Sequence, residues 1–295
     1  MAPTVPADFP LPGSASQVVV APAPSAGHGN WAGASSAVVD EDGRIVLAYR
    51  IRSDGGRGWQ TVISRSDDGE RYVTLGTLTK ERFGAQSMER PAILRVGTGR
   101  WRLYVCCATP DSKHWWIEVL EAARPEDLAA APSRVAFAGD RLTGVKDPIV
   151  RRRPDGHGWE AWVCCHPLDQ TDAEDRMTTA YATSSDGFDW QWHGTVLAGR
   201  PGMWDARGAR LTVILADGRA AYDGRATKEE NFFERTGLAR LVEPLSGRLE
   251  PLGAEPVADV RYLDVLPLGE GRTRIFYEAR LPDGSHELRT ELSAR

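Results

Sequence analysis

The chain has few of the features that would place it in a membrane, outside a cell or on a nucleic acid. No apolar run approaches the roughly 20 residues that a membrane helix requires, so no membrane partner is expected. The opening stretch, MAPTVPADFPLPGSASQVVVAPAPS, has no basic cluster ahead of a long apolar segment and does not read as a secretory signal. Its Pro- and Ala-rich beginning reads as a loose covering of the surface. Cysteine is scarce: four residues stand in two adjacent pairs, Cys106-Cys107 and Cys164-Cys165. Neighbours on a strand point to opposite faces, which disfavours a bridge within a pair, and CxxC metal spacing is missing. They read as small, reduced, buried strand residues of a cytoplasmic protein. The six histidines show no zinc-ligand spacing, so neither a metal nor a cofactor is expected. An excess of positive charge is absent too. Lys and Arg number 36 against 41 Asp and Glu, for a net charge of −5, and the basic residues are scattered, so no nucleic-acid partner is expected.

What the chain does have is turns and tryptophan. The stretch GVKDPIVRRRPDGHGWEAWVCC, Gly144 to Cys165, reads as a buried strand at Pro148–Val150, a Pro-Asp-Gly turn, and a second strand at Trp159–Cys165. The same order recurs. Asp40-Glu41-Asp42-Gly43 separates Ser35–Val39 from Arg44–Ile51, and Ala216-Asp217-Gly218 separates Ala209–Leu215 from Arg219–Asp223. Trp101 and Trp159 lie 58 positions apart, as do Cys106 and Cys164. Asp68-Gly69 with Tyr72 and Gly76 matches Asp186-Gly187 with Trp190 and Gly194 at the same offsets. Self-similarity at about 40–60 residues signals an array of sheet blades. The expected fold is therefore all-β, a five-bladed β-propeller of four-stranded antiparallel blades. The single domain spans residues 1–295, with blades near 30–80, 85–138, 143–198, 203–253 and 257–292. The last unit ends after three strands, and strand 17–21 would supply its fourth and close the ring, removing the open edge. A β-sandwich or two β domains is the alternative. Core packing is the first reading for most of the ten tryptophans, although indole faces also serve as sugar platforms.

A propeller gathers polar side chains where its first strands begin and its second strands end. The first ring of candidates comprises Asn30 to Ser35 with Trp31, Glu89 and Arg90, Lys146 and Asp147, Asp205 and Arg207, and Tyr262 with Asp264. The second ring, aligned on Tyr49, Val105, Val163, Tyr222 and Tyr277, comprises Arg50, Cys106, Cys164, Asp223 and Glu278. Two positions further lie Arg52, His166, Arg225 and Arg280. Charges at hairpin ends are ordinarily solvated; their recurrence on one face argues for a polar pocket for a small molecule or carbohydrate. His28 would cap it. Thr227 with Glu230 has the look of a capping box and predicts a short helix over the fourth unit, with Phe232 or Phe233 beneath, its charged face solvated or serving as a lid.

The Lys146-Asp147-Pro148 opening, the turn Ser185-Asp186-Gly187-Phe188-Asp189-Trp190 and the count of five units resemble the five-bladed glycoside hydrolases. These are the family 43 arabinanases and xylosidases, the invertase group and the mannoside phosphorylases. The resemblance implies cleavage of a glycosidic bond by two carboxyl groups, with a third, often an Asp before Pro, tuning the acid or holding a hydroxyl. Asp147 matches that third role. The family base, an Asp at the start of blade one, is replaced by Gly33-Ala34-Ser35-Ser36, and the family acid, a Glu opening blade four, by Arg207-Gly208-Ala209. The catalytic set that remains is Glu89, Asp147 and Asp205, whose convergence would raise one pKa and set an acid beside a base. Read structurally instead, Glu89–Arg90 and Asp205–Arg207 are local ion pairs that shape loops. Two functions stay open: a glycoside hydrolase-like enzyme, or a propeller that lost hydrolysis and binds a polar or anionic small molecule.

Overall fold

The computed structural model describes residues 8–13, 16–173 and 175–294. Strands dominate it. The first is β1 (Val18–Ala21), followed by β2 (Trp31–Val39), β3 (Ile45–Ser53), β4 (Arg57–Ser66) and β5 (Val73–Thr79). Then come β6 (Ala92–Gly97), β7 (Arg100–Ala108), β8 (Trp115–Ala122) and β9 (Ser133–Phe137), and after them β10 (Thr143–Arg152), β11 (Trp159–Pro167), β12 (Thr178–Ser184) and β13 (Gln191–Leu197). The chain continues with β14 (Gly208–Ile214), β15 (Arg219–Arg225), β16 (Arg235–Glu243) and β17 (Arg248–Leu252), and ends with β18 (Arg261–Gly269), β19 (Arg272–Arg280) and β20 (His286–Ala294). Strands β6–β9, β10–β13 and β14–β17 form three separate four-stranded antiparallel sheets in sequence order. The others form two antiparallel groups, β2-β3-β4-β5 and β18-β19-β20-β1, joined by one parallel pairing of Trp31 with His286.

The repeats seen in the sequence are repeats of structure. In β4–β5 the Ser66 hydroxyl donates to Asp68 Oδ1 and accepts Gly69 N–H at 2.7 Å, while Asp68 Oδ1 accepts the amides of Glu70 and Arg71. In β12–β13, Ser184, Asp186, Gly187, Phe188 and Asp189 repeat the same bonds. Both turn glycines sit at φ +78°, a left-handed conformation that costs glycine nothing. Each turn is also held from the adjacent sheet by an arginine that reaches a carbonyl oxygen. Arg102 of β7 donates to the Asp186 carbonyl, and Arg274 of β19 to the Asp68 carbonyl. Gly76 and Gly194 then mark matching register shifts in β5 and β13.

Alternation on these strands buries one apolar cluster between each sheet and the next. Val46 and Ile63 meet Leu103 and Val105; Tyr104 and Ile117 meet Ala161 and Val163; Trp162 and Tyr181 meet Leu211 and Tyr222; Ala221 and Leu238 meet Leu263 and Ile275. A further cluster joins Leu266, Phe276 and Leu288 of the last group to Leu47 and Tyr49 of the first. Each fully buried side chain of this kind contributes about 1.5–3 kcal/mol. Trp31, Trp101, Trp115, Trp159, Trp162 and Trp204 are buried, whereas Trp192 is exposed. The N-terminal segment is tied down in part: Phe9 is buried against the Val213–Leu263 cluster. Residues 1–7 and 14–15 of the expected loose covering lie outside the described residues.

One local expectation fails. Residues 226–232 form bends and turns rather than a helix. Glu230 accepts the amide of Ala226, one residue ahead of the capping-box position, and Phe232 takes φ +76°, which ends any helical path. The span between β15 and β16 is too short for helix nucleation to be repaid.

Candidate functional site

The first strands β2, β6, β10, β14 and β18 converge, and their polar side chains meet there. The local cause is a recurring bulge. In β2, β10 and β18 two residues oppose one on the partner strand, at Ala34–Ser35, Asp147–Pro148 and Tyr262–Leu263. The first residue of each bulge is left-handed: Ala34 at φ +54°, Asp147 at +51° and Tyr262 at +52°. For tyrosine this is a strained conformation, of the kind that persists where the surroundings hold it for a purpose.

Register sets who faces whom. The cross-strand pairs are Gly33 with Arg50, Lys146 with Cys164, Arg210 with Asp223 and Arg261 with Glu278. Arg210 Nη2 donates to Asp223 Oδ2 at 2.6 Å; its Nη1 donates to Asp147 Oδ2 at 3.1 Å and to the Tyr262 hydroxyl at 2.7 Å. Asp147 Oδ1 also accepts the Arg90 amide. Asp223 accepts the Tyr262 amide. Arg90 spans the convergence, donating to the carbonyls of Ser35 and Thr212, with Asp264 at 3.8 Å. All of these but Asp264, which is partly covered, are buried. Burial, with Glu234 nearby, lifts the Asp223 carboxyl above its ordinary range, and Arg210 only partly offsets it.

Above this layer Glu278 is shared. Its Oε2 accepts from Arg50 at 2.7 Å, and its Oε1 lies 2.8 Å from Arg261 Nη1 and 2.7 Å from His286 Nδ1. Gly33 makes room for it, because a Cβ there would lie 2.4 Å from Glu278 Oε2. Arg261 Nε lies 2.7 Å from Glu234 Oε2, and Arg225 pairs with the other Glu234 oxygen. Burial pushes both carboxyls up, but the guanidinium groups overcome it. Arg261 and Arg50 hold Glu278 well below the usual range, and Arg261, Arg225 and Arg210 bring Glu234 down to about 2. Burial lowers the His286 pKa, outweighing the pull of Glu278.

The upper face is where ions are not balanced. Glu89 is 12% exposed and lies 3.1 Å from Arg50 Nε without a hydrogen bond, so its carboxylate is attracted but not fixed. Arg50 Nη1 is buried and has no hydrogen-bond partner. Arg52 stacks on Trp31 at 4.8 Å and on Phe232 at 5.8 Å, and among the described residues no carboxylate lies within ion-pair reach of it. Burial, with Arg50, Arg57 and Arg261 nearby, lowers its pKa despite Glu89. Trp31 also stacks on His286 at 5.0 Å, and Phe232 lies 4.9 Å from Trp31 with His28 against both. The 226–233 loop thus covers the site through a residue in a strained conformation.

Several candidates sit elsewhere. Asp205 is buried, with both oxygens on Arg200 and one accepting the Tyr222 hydroxyl, on the sheet-packing side of β15 rather than with Glu89 and Asp147. The expected trio therefore does not assemble. Arg207 pairs with Asp175, and Arg280 with Asp259 at the rim, over Phe233. His166 donates through Nε2 to the Lys113 carbonyl and lines a cavity between the second and third sheets instead of facing the convergence. The reading of Glu89 and Asp205 as locally paired has the right chemistry but the wrong partners. Four central residues were missed: Arg210, Arg261, Glu234 and His286. Counting register back from the Ala216–Gly218 turn would have put Leu211 opposite Asp223, because a bulge at Thr212 shifts the pairing; an arginine inside the apolar run GARLTVI was the signal available. Among the described residues no group of three His, Cys, Asp or Glu side chains is placed to hold a metal, and no helix is long and apolar enough to cross a membrane.

No family model matches the sequence, and no curated protein matches it. Solved structures do. A glycosyl hydrolase from Bacteroides ovatus superposes with a TM-score of 0.64 at 11% identity, over 94% of this chain and 91% of that one. The β-1,2-mannobiose phosphorylase from Listeria innocua, in complex with β-1,2-mannobiose, gives 0.59 at 13% identity, over 95% and 92%. An α-L-arabinofuranosidase from Lactobacillus brevis gives 0.63 at 14% identity, over 88% and 90%. The chain shares the fold of these structures. At these identities the likeness is one of fold.

Proposed function

We propose that the chain is a five-bladed propeller, one domain over residues 1–295, in which β1 supplies the outer strand of the fifth blade and closes the ring. The matching Arg274 and Arg102 hooks and the apolar cluster between the last and first groups support closure. Within it, the site holds a polar, anionic small molecule, a sugar acid or sugar phosphate in kind, rather than hydrolysing glycosides with two carboxyls. One observation carries this reading: among the described residues every fully buried carboxylate of the convergence is engaged by arginine, while Arg52 has no carboxylate within ion-pair reach. A hydrolytic pair needs one carboxyl kept protonated near neutral pH beside an ionised one, both within reach of the sugar. Glu278 and Glu234 are held ionised, and Asp223 is sealed beneath them. Arg52 would meet the anion with a planar fork of donors, and Glu89 would accept from hydroxyls. The four unbridged, buried cysteines fit a reducing compartment such as the cytoplasm.

Isothermal titration of D-glucuronate and of glucose 1-phosphate into wild type and Arg52→Ala tests this. Saturable binding that weakens at least about tenfold in the variant is expected; binding indifferent to Arg52 overturns it. A second reading rests on Glu89 standing beside Arg52. Phosphorolysis uses phosphate as the nucleophile and so needs only one carboxylic acid from the protein. It would appear as sugar 1-phosphate formed only when phosphate is present.

A further inference from the structure

Away from the convergence, a cavity of about 860 Å³ opens between the end of the second sheet, near Ala136–Thr143, and the face of the third. That volume is within the range of small-molecule sites, which are walled mostly by apolar and aromatic side chains with a few polar groups at fixed points. Phe137, Trp190 and Trp192 form one wall. Phe137 stacks on Trp190 at 5.0 Å and meets Trp192 edge-on at 5.3 Å. Val145 and Ala180, both buried, form the floor and offer no side-chain hydrogen bonds. The register shift at Gly194 lets Thr195 line the space beside Trp192, three positions along the strand, a spacing that alternation alone would put on opposite faces.

The rim is open and apolar on two sides. Trp192 is 43% exposed and Leu142 is 46% exposed, two large hydrophobic groups held in water at the mouth of the same cavity. Solvated apolar surface around a concave site marks a binding site rather than a packing fault. Arg176 stands at the edge with two carboxylates, Asp140 and Asp169, all exposed, so the rim has no surplus cation for an anion. Thr143, Thr178 and Gln170 of the same lining can pair with a few polar groups, but a bare sugar would leave hydroxyls unpaired against Val145 and Ala180, which is costly. A flat ring system with polar groups on one edge leaves none.

We infer that this cavity is a second ligand site, independent of the Arg52 site, that takes an uncharged planar aromatic small molecule between Trp192 and the Val145–Ala180 floor. Prodan, a neutral naphthalene dye whose emission shifts in apolar surroundings, is the probe. Titrated into wild type, it should bind saturably with one site per chain. Trp192→Ala removes the aromatic wall, and Thr195→Trp, at an exposed position, fills the space without disturbing the core; each should weaken binding at least about tenfold. Arg52→Ala should leave it unchanged. Circular dichroism and thermal melts confirm that both variants are folded, and sedimentation velocity follows the oligomeric state. Absence of saturable binding, or binding that ignores both substitutions, overturns the inference. So does a dimer that Thr195→Trp disperses, since a second copy of the chain would then be the occupant.

Discussion

Replacing Arg210 by Met tests how strongly the convergence depends on its ion pairs. Arg210 is 2% exposed and is the shared partner of Asp147 and Asp223, themselves 1% and 0% exposed. Met keeps much of the side-chain volume but leaves two buried carboxylates with amide and hydroxyl donors only. Breaking a buried pair in this way costs about 3–5 kcal/mol at neutral pH. Protonation limits the loss. Placing a proton on a carboxyl of ordinary pKa near 4 costs about 1.4 kcal/mol at pH 5 and about 5 kcal/mol at pH 8. The variant should therefore be about 3–5 kcal/mol less stable than wild type at pH 8, while at pH 5 protonating both carboxyls caps the loss at about 2.8 kcal/mol. The sign follows from linkage: carboxyls whose folded pKa is raised bind more protons folded than unfolded, so the variant loses relative stability as pH rises above 4. Urea unfolding followed by tryptophan fluorescence reads both values. Adding Asp223→Asn should recover part of the loss at pH 8 by removing one of the two stranded charges. A deficit below about 1 kcal/mol at pH 8, or one equal at the two pH values, refutes the reasoning.

Other outcomes follow from the same geometry. Wild type should be acid-labile. Glu278 and Glu234 have folded pKa values below their unfolded ones, with Glu234 at about 2, so the stability they give above about pH 4.5 drains away as pH falls toward 2; acid-unfolding midpoints of Glu234→Gln and wild type check this, the variant being less stable at pH 7 and relatively less affected by acid. Gly33→Ala should cost about 3 kcal/mol, because its Cβ displaces the Glu278 carboxylate from Arg50, and a thermal melt unchanged from wild type would contradict it. Arg52→Ala should change stability by only about 0.5–1 kcal/mol, the scale of a partly exposed cation–π contact, while altering ligand affinity. Phe232→Ala should raise the association rate of any ligand bound at Arg52 without changing the unfolding midpoint by more than about 1 kcal/mol, as stopped-flow binding will show.

The strands were legible because two signals agreed. Runs rich in β-branched and aromatic residues stood between Asp-Gly turns, and the Ser66 and Ser184 turns repeat bond for bond what their shared spacing implied. Side-chain direction at the convergence was harder to read. A bulge moves every later residue to the other face, and nothing in Lys146-Asp147-Pro148 or Arg261-Tyr262-Leu263 announces a left-handed residue. Tyr262 was therefore found but Arg261 was not. Asp205 was misplaced for a related reason: it lies in the turn ahead of β14, where it is free to bend back to Tyr222, and strand alternation does not govern it. The helix expected at Thr227 rested on a local motif alone, and the reach of Glu230 to Ala226 overrode it.

The central claim is that buried arginines engage the carboxylates of the convergence and leave no hydrolytic pair. A panel of 4-nitrophenyl glycosides, incubated with the protein in phosphate-free buffer and followed by released nitrophenolate, tests it directly. The account predicts no release above background for any sugar. Catalytic release without phosphate, lost in both Glu89→Gln and Asp147→Asn while both variants remain folded, would contradict it.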